Sequence, residues 1–161
     1  MLRYELLHPG LIEALAAAGH GSRILIADSN YPHSTGVRPA ATRVHLNLRP
    51  GLVTVDQVLE VLLDAVPVES ATVMVPGGVA GDVAGAGEPI AAHAGYRALL
   101  PPEVDWHELD RFAFYGAARG DDLAALVATG DQRVYANLLL TIGVRQGSGA
   151  SQTSDVSGAG Q

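Results

Sequence analysis

Three short runs of this chain have no polar face. Residues 23–27 (R-I-L-I-A), 123–129 (L-A-A-L-V-A-T) and 137–143 (N-L-L-L-T-I-G) are apolar at nearly every position, not at alternate ones. A strand of that kind needs cover on both sides of its sheet. The chain supplies the cover, because stretches with apolar residues at helical spacing lie between such runs. The expected fold class is therefore α/β, with helices on both faces of a central sheet.

Reading along the chain fills in that frame. Residues 9–18 read as a helix with Pro9 suited to its first position and Leu11, Ile12, Leu15 and Ala16 on one face. Gly19 is the expected left-handed stop. Residues 29–41, rich in Pro, Ser, Asn and Gly, read as a loop. Residues 42–48 (T-R-V-H-L-N-L) alternate, placing Val44, Leu46 and Leu48 on one face of a second strand. Thr54 and Gln57 have capping-box spacing before the stripe Val55, Val58, Leu59, Leu62 and Leu63, and that helix should stop near Val66-Pro67. Residues 71–75 read as a strand, 76–87 with five glycines as a loop, and 89–100 and 111–119 as helices. From Gln146 the chain is mostly Ser, Gly, Ala and Gln, and residues 146–161 are expected to be a disordered tail behind one domain over 1–145.

Composition bounds the function. At 161 residues the chain is long enough for one domain with a real core. Its net charge of −7 gives no electrostatic case for nucleic acid or an anionic membrane. With no cysteine, thiol nucleophiles and Cys-type zinc sites are excluded. No apolar run reaches the ~20 residues that cross a bilayer. No secretory signal is recognisable at the N-terminus, so a cytoplasmic protein is expected. All ten basic residues are arginine, a bias spread over the whole chain that singles out none of them.

Chemistry is suggested at one place. His20 sits between Gly19 and Gly21 at a predicted helix end, and Asp28 follows the strand at 23–27 directly. In sheets of this class ligands gather beyond the carboxyl ends of strands, where Asp28 lies. An imidazole of near-neutral pKa can donate and accept a proton at physiological pH. Each residue also has a bland reading: His20 as a charge on a helix dipole, and Asp28 as a turn former in Asp-Ser-Asn-Tyr-Pro. Spacing alone leaves these alternatives open. His8, His33, His45, His93 and His107 show no metal-ligand spacing, and the glycines at 77–81 form neither a Walker loop nor a dinucleotide fingerprint. His33 reads as a solvated loop residue.

Four pieces in order carry a resemblance: G-H-G-x-x-I-x-I-A-D, T-R-V-H-L-N-L-x-x-G before an amphipathic helix, R-F-A-F-Y, and T-G-x-x-x-x-Y-A-N-L-L-L-x-x-G-V. Together, from about Leu6 to Val144, they resemble the ribose pyranase and fucose mutarotase (RbsD/FucU) family of sugar isomerases. The resemblance implies a three-layer α/β/α sandwich with a mostly parallel sheet. It implies interconversion of ring forms or anomers of a free monosaccharide such as L-fucose or D-ribose, with no cofactor and no metal. It assigns His20 as the catalytic residue and Asp28, Arg111, Tyr135 and Asn137 as sugar-binding residues. It further implies a ring-like homo-oligomer, often a decamer, with sites completed between subunits. Residues from Thr42 lean to the ribose type and R-F-A-F-Y to the fucose type, so the sugar is not named. A non-catalytic sugar-binding or regulatory protein on the same scaffold is the alternative, and a ligand-free structural oligomer a third reading.

Overall fold

A computed structural model of the chain describes residues 5–77 and 89–145. Ten elements follow in order: α1 (Pro9–Ala17), β1 (Arg23–Ala27), β2 (Thr42–His45), α2 (Val55–Ala65), β3 (Val68–Val75), α3 (Ala91–Leu99), β4 (Asp105–Asp110), α4 (Arg111–Ala118), β5 (Leu123–Ala128) and β6 (Leu138–Ile142). They build one six-stranded sheet in the order β2-β5-β1-β6-β3-β4. β2, β5, β1, β3 and β4 run one way, and β6, between β1 and β3, runs against both neighbours.

The two-faced strands bury both faces as expected. Along β1, Ile24 and Ile26 join a cluster with Leu11 of α1, Leu59 and Leu62 of α2 and Tyr96 of α3. Leu25 and Ala27 point the other way, to Phe114 and Ala118 of α4 and to Tyr31 and Val37 of the long loop. Three layers result, unequal in content: among the described residues three helices cover one face, one helix and a loop the other. Full burial contributes about 1.5–3 kcal/mol for each Leu, Ile or Phe side chain, which ties the strand sequence to the layering.

Local signals account for most element ends. The Thr54–Gln57 capping box is formed in both directions, and α2 ends at Ala65 before Pro67. Asp110 caps α4 by accepting hydrogen bonds from the N–H groups of Phe112 and Ala113 at 2.8 and 3.0 Å. Three expectations need correction. The left-handed glycine is Gly21 (φ 79°), not Gly19; α1 stops instead on an extended Ala18. β2 ends at His45, and Leu48, placed by alternation on the covered face, is 83% exposed because the chain has left the sheet. β4 was not expected at all: it is an edge strand with one neighbour, so its D-W-H-E-L-D sequence lacks a continuous apolar face. Most of the loop expected at 76–87, and all of the tail expected at 146–161, lie outside the described residues.

Candidate active site

The reversed direction of β6 decides which of the candidate residues meet. Its first residues lie at the same edge of the sheet as the carboxyl ends of β1, β3 and β4. Asp28 leaves β1 there, Met74 lies near the end of β3, Arg111 opens α4 directly after β4, and Tyr135-Ala136-Asn137 lead into β6. A cleft of about 170 Å³ opens among Asp28, Arg111, Tyr115, Tyr135 and Asn137, with Val134 at its rim. Drug-sized ligands occupy roughly 300–1,000 Å³, so this cleft suits something smaller. A larger groove of about 750 Å³ lies beside α1 and α2, among Leu6, Ile12, Leu15, Leu63 and Val66; few hydrogen-bonding side chains line it, whereas most residues lining the smaller cleft carry one.

Asp28 is the best-defined group of the cleft. It is 2% exposed and clasped by Asn137, whose Oδ1 accepts from the Asp28 backbone N–H at 2.9 Å and whose Nδ2 donates to Asp28 Oδ2 at 2.8 Å. Oδ1 of Asp28 also accepts from the N–H of Asn30 at 2.9 Å, so the turn-forming reading of Asp28 holds together with its place in the cleft. Burial pushes the carboxyl up to about 6, against the backbone N–H groups of Asn30, Tyr31 and Ala136. The site therefore offers a carboxyl that changes charge just below neutrality.

The segment from Tyr135 to Asn137, which contacts Asp28, is held from behind. Tyr135 takes a left-handed backbone (φ 59°), uncommon for a residue with a side chain. His93 of α3 shares a 3.1 Å hydrogen bond with the Tyr135 carbonyl, and the Tyr96 hydroxyl donates to the Ala136 carbonyl at 2.7 Å. Asp131 anchors the same loop to α2 by accepting from the Val55 N–H at 3.1 Å. Burial raises the Asp131 carboxyl, but hydrogen bonds from the Arg133 guanidinium and from the Val55 and Arg133 N–H groups outweigh it and hold it below the usual carboxylate range. His33 is half-buried, not solvated: its Nε2 lies 2.8 Å from the Asp28 carbonyl, and burial holds its pKa below the ordinary value. His33 stands five residues from Asp28, whereas the contacts of His93 and Tyr96 to backbone carbonyls come from an element about forty residues away and leave no local sequence signal. Tyr115 left one: it stands one helical turn after Arg111 and so shares its face.

His20 is elsewhere. It precedes β1, whose five residues alone separate it from Asp28 by roughly 16 Å at ~3.3 Å per residue. Within one copy, Asp28, Arg111, Tyr135 and Asn137 meet at one edge of the sheet and His20 lies at the other. There its Nε2 is 2.9 Å from Oε2 of Glu69. Among the described residues no three His, Asp or Glu side chains lie close enough together to hold a metal ion, and no helix is long and apolar enough to cross a membrane.

Residues 1–145 match the model of the RbsD / FucU transport protein family. The chain belongs to that family. Among its relatives is a D-ribose pyranase of Paracidovorax citrulli, 34% identical over 144 residues, an alignment covering 89% of this chain and 98% of that one. A fucose mutarotase of Bos taurus is 35% identical over 150 residues, covering 86% and 90%. The structure of Bacillus subtilis RbsD complexed with D-ribose superposes with a TM-score of 0.72 at 27% identity, over 91% of this chain and all of the other. The sheet and its helices are thus the family's α/β fold.

Proposed function

We propose that this chain is a cytoplasmic isomerase that interconverts ring forms or anomers of a free monosaccharide, of the ribose or fucose kind, with no cofactor. Residues 1–145 act as one catalytic domain. The observation that carries the reading is the small cleft in which the polar side chains Asp28, Arg111, Tyr135 and Asn137 converge, in a chain whose relatives include a pyranase and a mutarotase. Asp28 and Arg111 hold sugar hydroxyls, Tyr135 and Asn137 present side-chain and backbone contacts, and Asn137 also keeps Asp28 in place. His20 is the general acid/base. It moves the anomeric hydroxyl proton to the ring oxygen as the C1–ring oxygen bond breaks, and reverses the transfer on closure. Positioned groups of this kind contribute ~10²–10⁴ in rate.

Because His20 and the cleft occupy opposite edges of one copy, the working site joins the His20 of one copy to the cleft of another in a ring-like homo-oligomer, decameric in the family pattern. Saturation-transfer NMR on ribose, fucose and related sugars tests this. The wild-type chain should accelerate exchange, and His20→Ala and Asp28→Ala should each be inert. Mixed oligomers of the two variants should recover about a quarter of wild-type activity, the random share of sites that pair an intact His20 with an intact Asp28. Saturable sugar binding without any acceleration would establish the non-catalytic alternative instead.

A further inference from the structure

The surroundings of His20 are more organised than a surface loop needs. Gly21, in the left-handed conformation, donates its N–H to the Ile142 carbonyl at 2.9 Å, and the Ser22 carbonyl accepts from the Ile142 N–H at 2.8 Å. The turn carrying His20 is thereby clamped to the end of β6. On the neighbouring strand the β3–β6 register breaks between Val68 and Ser70, leaving Glu69 as the extra, unpaired residue. Irregularities of this kind re-aim a side chain. Gly143 makes room for it, since a Cβ there would come within 3.2 Å of the Glu69 Cβ. The result is the 2.9 Å contact between His20 Nε2 and Glu69 Oε2. The two side chains are 60% and 44% exposed, and ion pairs so exposed contribute only about 0–1 kcal/mol. Stability does not account for the arrangement.

We propose that Glu69 is a positioning residue for His20. The inference rests on the reading of His20 as the acid/base. A carboxylate only accepts hydrogen bonds, so the ring nitrogen facing it must carry the hydrogen. Neutral His20 is thereby fixed as the Nε2–H tautomer, and Nδ1 is left with the free lone pair. Nδ1 takes the anomeric hydroxyl proton while the C1–ring oxygen bond breaks and the C1 carbonyl forms. The same proton then goes to the ring oxygen, so atoms and electrons balance with no co-reactant. Glu69 faces the imidazolium formed between the two transfers.

Exchange kinetics of wild type, His20→Ala, Glu69→Ala, Glu69→Gln and Glu69→Asp, at varied sugar concentration, test the proposal, with the His20 tautomer read from two-bond ¹⁵N–¹H spectra. Glu69→Ala should lower kcat by about 10- to 100-fold, inside the range an acid/base contributes, with KM within about twofold. It should also move the His20 ring from the Nε2–H tautomer to a mixture, and Glu69→Asp should restore part of both. Glu69→Gln, nearly isosteric, covers the case in which Glu69→Ala fails to fold, and should lower kcat in the same direction. An unchanged kcat in the folded Glu69 variants beside an inert His20→Ala overturns the role of Glu69 and leaves the acid/base reading standing. So does a rise in KM alone, which would make Glu69 a sugar contact. A wild-type chain that accelerates no exchange, or an active His20→Ala, overturns both.

Discussion

Asp28 carries a pH dependence whose direction follows from its burial. Its carboxyl titrates near 6 in the folded chain and near the ordinary 3.8 when unfolded. Between about pH 4 and pH 6 the unfolded state gives up its proton first, so rising pH favours unfolding across that window. The loss should approach 3 kcal/mol and level off above pH 6, following the free-energy equivalent of a shift from 3.8 to about 6. The comparison is with Asp28→Asn, which lacks the titration: denaturant midpoints of the two proteins, measured from pH 4 to 7, should diverge in the variant's favour as pH rises. Parallel curves would remove the claim that burial governs this carboxyl. The sequence made Asp28 visible through its place after an apolar run. It could not show the clasp by Asn137, which bridges 109 residues of chain, or His93 braced against the Tyr135 carbonyl from 42 residues away. Those contacts exist only once the sheet has assembled.

At the level of elements, the turn between α1 and β1 gives the sharpest contrast. Gly19 and Gly21 both have open space where a Cβ would stand, and only Gly21 has positive φ. Gly21→Ala should therefore cost about 1 kcal/mol, from the backbone conformation rather than from crowding, while Gly19→Ala should be near neutral or slightly stabilising. Thermal unfolding of the two variants decides it, and equal costs would mean that crowding or the unfolded state dominates. Reading the turn as a helix stop put the special glycine two residues early, because helix-cap statistics say nothing of the pull exerted by Ile142. The helix caps at Thr54 and the all-apolar strands were legible because each is written within a few consecutive residues. β4 was not, since an edge strand with a wet face needs no apolar alternation. Its contribution is indirect, in delivering Arg111 to the start of α4.

For the whole molecule, the proposed shared site, in which His20 of one copy completes the cleft of another, makes activity a property of the assembly. Specific activity should be constant at high protein concentration and fall as dilution takes the assembly through its dissociation constant, in step with the mass measured by light scattering. Full activity in a species with the mass of a single chain would exclude the shared site. The α/β class and its two covered faces could be read from the strands, whereas the order β2-β5-β1-β6-β3-β4 could not, because parallel and antiparallel neighbours place the same demands on a two-faced strand. Within that order β6 touches both halves of the proposed chemistry. Its first residue follows Tyr135-Ala136-Asn137, and its last, Ile142, grips the turn of His20. In the proposed shared site β6 is in effect a gauge block, setting the distance between what a copy would lend and what it would keep. One inserted residue would lengthen the gauge by about 3.4 Å and turn every following side chain to the wrong face. Among related chains, length changes belong in the loops, and the span of β6 should stay fixed even where its leucines are exchanged for other apolar residues.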